Sequence, residues 1–227
     1  FMSETDDFEP VTENKDTLSD SIEHRIIPNI HQAIAISKLH QAIDEKKYQP
    51  FLLNGITGSG KTLVYLKIIE KVLKDRCSAL ILVPEIGLTP QLAQRFQSYF
   101  GNNVYLVHSG LSSKERWKRF STISKSLSSV VIGTRSAIFA PIQNLGIIVV
   151  DEENDISYKQ EEGLKYHGRD LAFVRAKQEN AVLVLGSATP SLETLLKVQN
   201  STITELTLPE RPQNAVLPDV IIVDMQN

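Results

Sequence analysis

A single cysteine, Cys77, stands among the 227 residues, which rules out an internal disulfide and a zinc site of four thiolates and fits a reducing compartment. No run of about 18 apolar residues exists, and the acidic start has neither the basic nor the apolar stretch of a secretory signal. A soluble, cytoplasmic protein with no membrane partner is therefore expected. Internal repeats are missing, and so is a strong charge of one sign: the formal net charge is −3. That charge is unevenly placed. Residues 1 to 26 hold eight acids against Lys15 and Arg25. The other 201 residues hold 22 Lys and Arg against 19 Asp and Glu. A slight cationic surplus permits nucleic acid as a partner without demanding it.

With 41% hydrophobic residues, the chain can bury one substantial core. Residues 1 to 26 read as a disordered acidic arm or linker. Phe1-Met2 reads as a cloning remnant on a piece of a longer protein. From Ile27 short apolar runs recur: Phe51 to Leu53, Ala79 to Val83, Val104 to Val107, Val130 to Ile132, Ile147 to Val150 and Val182 to Leu185. Such runs suit strands covered on both faces. Between them lie helix-spaced apolar residues, as in Leu63, Leu66, Ile69 and Leu73, or Leu92, Phe96 and Phe100. The alternation predicts a doubly wound α/β fold with a mostly parallel sheet over residues 27 to 205. Residues 206 to 227, with Pro209, Pro212, Pro218 and a strand-like Val220 to Val223, read as a connector to a further element.

Gly55, Gly60, Lys61 and Thr62 fit G-x-x-x-x-G-K-[ST], with an apolar strand before and an amphipathic helix after. A loop wrapped around a phosphate turns successive backbone N–H groups inward, and Gly55, Gly58 and Gly60 are expected to tolerate the dihedrals this requires. Thr57 and Ser59 complete the loop. A helix starting near Lys61 adds its positive N-terminal end. Lys61 is expected at the β- and γ-phosphates of ATP and the Thr62 hydroxyl on Mg²⁺. The run Ile147 to Val150 ends in Asp151 and Glu152, at the strand edge where ligands of open α/β sheets bind. Asp151 is expected to hold Mg²⁺, and Glu152 to orient and deprotonate the attacking water. Gln32, 23 residues before Gly55, reads either as an adenine contact through its amide or as an exposed helical glutamine.

These features alone leave kinase, transporter ATPase and helicase open. Further blocks follow in order: Val83 to Gln91, His108-Ser109-Gly110-Leu111, Ile132 to Ala137, Asp151-Glu152-Glu153, Ser157 to Gln160, Tyr166-His167 with Arg169-Asp170, and Gly186 to Pro190. With them the chain resembles superfamily 2 helicases, and among these the bacterial PriA-type replication-restart helicases, over about residues 27 to 200. The resemblance implies a first RecA-like motor lobe that uses ATP and Mg²⁺ to move 3′ to 5′ on single-stranded and forked DNA. It also implies primosome proteins as partners and a nucleoid-associated location.

Residue by residue, the resemblance places DNA backbone contacts at Thr89 and Gln91, where the helix start opened by Pro90 offers N–H groups to a phosphate. It places a second contact at Thr134 and Arg135, for which a surface salt bridge is the plain alternative. Tyr158, Lys159, Tyr166 and Arg169 fall in the family's aromatic-rich loop, where tyrosines stack on bases and cations meet phosphates; packing is the plain alternative for the tyrosines. Ser187 and Thr189 would link the γ-phosphate to DNA, with Thr189-Pro190 also reading as a helix cap.

Three departures stand out. The family's Asp-Glu-Glu-His ends here in Asn154, which hydrogen-bonds but carries no titratable proton, so coupling of DNA binding to hydrolysis is affected. Leu164 stands where the family commonly has tryptophan. Nothing in these residues matches the second lobe with its arginine finger or the cysteine-rich zinc insertion, so zinc is expected only elsewhere in a longer protein. Weak nucleotide binding and slow or no hydrolysis follow, because such a finger contributes roughly 10³ to 10⁵ in rate. Two other readings stay open: a different superfamily 2 translocase, RecG-like or a restriction subunit, and a nucleotide-sensing DNA-docking module without turnover.

Overall fold

A computed structural model describes residues 26–210. The acidic arm before Ile26 and the run Val220 to Val223 lie outside the described residues. In chain order the elements are α1 (Ile30–Glu45), β1 (Gln49–Gly55), α2 (Lys61–Lys74), β2 (Ser78–Leu82), α3 (Pro90–Phe100), β3 (Val104–Val107), α4 (Ser113–Ile123), β4 (Val130–Gly133), β5 (Leu145–Val150), β6 (Lys159–Gln160), β7 (Tyr166–His167), α5 (Gly168–Gln178), β8 (Val182–Ser187), α6 (Leu192–Gln199) and β9 (Thr204–Leu208).

Seven strands form one sheet in the order β3-β4-β2-β5-β8-β1-β9, every pair parallel. The two-residue strands β6 and β7 make a separate antiparallel pair. Within each central strand the side chains alternate between two cores. Ala79, Ile81, Ile147 and Val149 face α1, α2 and α3; Leu80, Leu82, Ile148 and Val150 face the side covered by α4, α5 and α6. Both faces are buried, which is why the strands read as continuous apolar runs rather than as alternating ones. The doubly wound expectation is met.

One strand had no such signal. β9, Thr204-Glu205-Leu206-Thr207-Leu208, alternates polar and apolar residues because it is the edge strand beside β1. It straddles the expected boundary at residue 205, and pairing carries the sheet as far as Leu208.

Parallel strands bring all their C-terminal ends to one side of the sheet. There β5, β8 and β1 stand next to one another, followed respectively by Asp151, by the strand's own end at Ser187, and by the Gly55 loop. β2, β4 and β3 fill the other half of that edge, followed by Pro84 to Gln91, Thr134-Arg135 and His108 to Leu111. Among the described residues no helix is long and apolar enough to cross a membrane.

Candidate functional site

The loop after β1, the start of α2 and the residues that follow β5 enclose a cleft of about 680 Å³ lined by residues 56–63, Gln32 of α1, Asp151 and Glu152. Lys61 opens α2, and its Nζ lies 3.1 Å from the Gly55 carbonyl and 3.1 Å from Glu152 Oε1. The cation is thus held by two oxygens at the mouth of the loop, the environment a phosphate oxygen would offer it. Glu152 is turned toward Lys61 by a left-handed backbone, φ 43°. The Ser59 hydroxyl is buried in the loop with no hydrogen-bond partner among the described residues. No side chain caps α2, so its N-terminus remains a place for an anion. These observations fit a triphosphate. Thr57 and Gly58 form the exposed tip of the loop.

Gly60 adopts φ +83°, and a Cβ there would sit 2.4 Å from Gln32 Nε2. Gly55 differs from expectation: its φ is not left-handed, and its constraint is space, since a Cβ would meet Ser59 Oγ at 2.5 Å. Gln32 is neither an exposed helical residue nor a free amide. It is buried; its Nε2 donates to the Ser59 carbonyl at 2.8 Å, and its Oε1 accepts from Asn29 N–H at 2.9 Å, closing the capping box of α1. The glutamine braces the loop from α1 while still lining the cleft.

Asp151 ends β5. Burial pushes its carboxyl above the usual carboxylate range, against the opposing effect of the Tyr65 hydroxyl, which donates to Oδ1 at 2.9 Å. Tyr65 lies one helical turn beyond Lys61, and room for its hydroxyl exists because residue 186 is glycine; a Cβ there would be 1.7 Å away. Among the described residues no cluster of three His, Cys, Asp or Glu is arranged for a metal. Asp151 and Thr62 line the same cleft, and a carboxylate with a hydroxyl is a donor set that fits Mg²⁺, an ion that retains waters and takes phosphate oxygens.

Asn154, Ser187 and Thr189 come together. Ser187 Oγ donates to Asn154 Oδ1 at 2.9 Å, Asn154 Nδ2 donates to Thr189 Oγ1 at 3.3 Å, and Thr189 N–H donates to Ser187 Oγ at 3.0 Å. The helix cap expected at Thr189-Pro190 lies further on: Ser191 caps α6, accepting from Thr194 N–H.

Expected DNA contacts divide. Thr89 and Gln91 are exposed at the start of α3, with Thr89 Oγ1 accepting from Leu92 N–H at 3.2 Å. Lys159 is exposed, 2.6 Å from Glu161. Tyr166 is half-buried, edge-on to Phe139. Arg135 clips the loop beside it, Nη1 donating to the carbonyls of Ser157 and Lys159 at 2.8 and 3.0 Å. Thr134 is buried, its hydroxyl without a partner among the described residues.

Two expectations are corrected. Tyr158 cannot stack on a base: it is 0% exposed, in the core beneath β2 and β5, with its hydroxyl 3.0 Å from the Leu82 carbonyl and 2.5 Å from the Asp151 carbonyl. Arg169 does not face solvent for a phosphate; its side chain is 12% exposed and paired with the fully buried Glu153 at 2.9 Å.

Glu153 is the functional neighbour that sequence reasoning left without a role. Besides Arg169, it accepts from Ser191 N–H (2.7 Å), Ser191 Oγ (3.1 Å) and Thr194 Oγ1 (3.0 Å), joining the end of β5 to α5 and α6. Tyr65 likewise has no motif to mark it; its place four residues after Lys61 is the signal the sequence offers.

Residues 29–198 match the family model of the DEAD/DEAH box helicases. The chain is 45% identical over 195 residues to replication restart protein PriA of Bacillus subtilis, covering 86% of this chain and 24% of that protein. It is 52% identical over 184 residues to PriA of Synechocystis sp., covering 79% of this chain and 22% of that one. It thus spans about a quarter of the length of these relatives. The fold is shared with RecG bound to a three-way DNA junction (TM-score 0.58, 22% identity, covering 83% of this chain and 25% of RecG). It is shared too with the Hef helicase domain of Pyrococcus furiosus (TM-score 0.54, 22% identity, covering 79% and 38%). The chain belongs to the DEAD/DEAH box helicase family and is similar in sequence to a segment of replication restart protein PriA.

Proposed function

We propose that residues 27 to 208 are the ATP-binding motor lobe of a PriA-type helicase, which couples ATP hydrolysis to 3′ to 5′ movement on single-stranded DNA at forks needing replication restart. The observation that carries this reading is Lys61 Nζ held between the Gly55 carbonyl and Glu152. A lysine so placed can exchange these two oxygens for phosphate oxygens with little movement, and its departure frees Glu152 to accept a proton from water.

In this reading Thr62 and Asp151 would hold Mg²⁺, which would neutralise charge on the phosphoryl group that ATP supplies. Gln32 keeps the loop open for the nucleotide and touches adenine with its remaining hydrogen-bonding capacity. Asn154, Ser187 and Thr189 relay the state of the site toward DNA. Because Asn154 donates to one hydroxyl and accepts from another at once, an amide suffices for that relay, without a titratable ring. Thr89, Gln91, Arg135, Lys159 and Tyr166 face DNA in this reading, and the buried Thr134 shapes the rim from within, its N–H donating to the Val107 carbonyl. The acidic arm is a linker, the residues after 208 lead to a second lobe, and zinc and primosome proteins engage the rest of a longer protein.

The test is ATPase activity of the longer protein on forked DNA. The reading predicts DNA-stimulated turnover that Lys61→Ala abolishes and Asn154→His leaves largely intact. Turnover indifferent to Lys61 contradicts it.

A further inference from the structure

Among the described residues the most exposed large aromatic ring belongs to the single tryptophan, Trp117, 74% exposed on α4. α4 is also strongly cationic: it holds Lys114, Arg116, Lys118 and Arg119 against Glu115, a surplus of three. α2 has an equal surplus, but its Lys61, Lys67, Lys71 and Lys74 are all in ion pairs. The one acid is engaged in the capping box of its own helix, Ser112 N–H donating to Glu115 Oε2 at 2.8 Å.

The four cations have two different tasks. Arg116 donates to the His108 carbonyl at 3.4 Å and Arg119 to the Leu106 carbonyl, so these two tie α4 to the outer edge of β3. Lys114 and Lys118 are exposed, and neither has an ion-pair partner among the described residues. Lys114 lies one helical turn before Trp117, and Lys118, next after Trp117 in the chain, lies one turn beyond Lys114, so the indole and the two lysines share one side of the helix.

The position of α4 adds a second argument. It begins directly after the β3 end, and Thr134 N–H donates to the Val107 carbonyl at 3.2 Å, holding the ends of β3 and β4 together. Lys114, in the first turn, therefore sits on the same rim as Thr134, Arg135 and the start of α3. An exposed indole between two unpaired lysines, in line with a rim of helix starts, has the composition of a sequence-tolerant single-strand site: cations for phosphates and a ring for a base.

We infer that α4 is a single-stranded DNA contact in which Trp117 stacks on a base and Lys114 and Lys118 neutralise the flanking phosphates, extending the track beyond the β4 end. This rests on the DNA-motor reading above. Trp117 being the only tryptophan, its emission reports this surface alone. The chain is titrated with a labelled oligothymidine while anisotropy and tryptophan emission are followed together, and with an abasic oligomer of equal length.

Quenching is expected with oligothymidine and not with the abasic strand. Lys114→Glu with Lys118→Glu should weaken binding at least about tenfold and flatten the salt slope by roughly 1.4, at about 0.7 per phosphate. Trp117→Ala should weaken it several-fold with the salt slope kept. If the oligomer binds while Trp117 emission stays unmoved, or quenching is equal with the abasic strand, or both variants bind as wild type does, the assignment of α4 is overturned and the motor reading stands. If no oligomer binds, the α4 contact is overturned too; nucleotide binding, measured separately, then decides whether the motor reading falls with it.

Discussion

Arg169 Nη1 lies 2.9 Å from Glu153 Oε2, a paired charge whose acid is completely buried and whose base comes from the start of another helix. Three further donors from Ser191 and Thr194 complete the shell around the carboxylate. A buried carboxylate with this many donors holds its surroundings in one arrangement, and here they are the residues after Asp151-Glu152 and the starts of α5 and α6.

Removing the acid should leave Arg169 buried without a partner, so Glu153→Ala is expected to cost about 3–5 kcal/mol in urea unfolding. Glu153→Gln should cost less but remain destabilising, because its NH₂ faces donors. Unfolding midpoints equal to wild type for both variants would show that the network contributes nothing.

The hydroxyl of Tyr158 gives a separate test of the corrected loop. Tyr158→Phe deprives the Leu82 and Asp151 carbonyls of a donor, a loss of roughly 1–3 kcal/mol in stability. Affinity for single-stranded DNA should not change, since the ring never reaches solvent. A weakened oligonucleotide complex with unchanged stability contradicts this placement.

Burial raises the Asp151 carboxyl, with Glu152 adding in the same direction and Tyr65 and Lys61 opposing. The folded chain therefore keeps a proton that the unfolded chain gives up. The contribution to stability is present below the unfolded pKa and lost as pH rises through the raised folded pKa. Asp151→Asn should accordingly raise the melting temperature at neutral pH, flatten its dependence over that acidic window, and remove the Mg²⁺-dependent part of nucleotide binding. An asparagine variant that melts below wild type at pH 7 is the contrary result.

Gly60 combines a left-handed backbone with close approach to Gln32. Gly60→Ala should lose about 1–2 kcal/mol from the backbone conformation alone, plus a steric part. Adding Gln32→Ala should relieve only the steric part, a non-additivity readable in a double-mutant cycle. Strict additivity would mean that the two residues do not meet.

The sheet and the nucleotide motifs were legible because both depend on local pattern. Strands buried on two faces leave continuous Val, Ile and Leu runs, and a phosphate loop needs its glycines and lysine at fixed spacing. β9 escaped because an edge strand alternates and borrows its order from β1. Arg169 was legible as a cation near DNA motifs, but Glu153 lies 16 residues away in the chain and nothing local announces their pairing. Tyr158 shows the same limit: its ring is read equally well as a stacking platform or as core until the loop is seen folding back under the strand ends. Asn154 stands in the sequence only as a departure, and the three-way contact with Ser187 and Thr189 shows what the amide holds.

The most direct test of the central claim is calorimetric titration of the chain with ATP and Mg²⁺, wild type against Lys61→Ala. The arrangement of Lys61, Gly55 and Glu152 predicts Mg²⁺-dependent binding that the alanine variant loses by a factor of ten or more, on the order of 1.4 kcal/mol. Equal affinities in the two proteins, or no binding by the wild type, would contradict it.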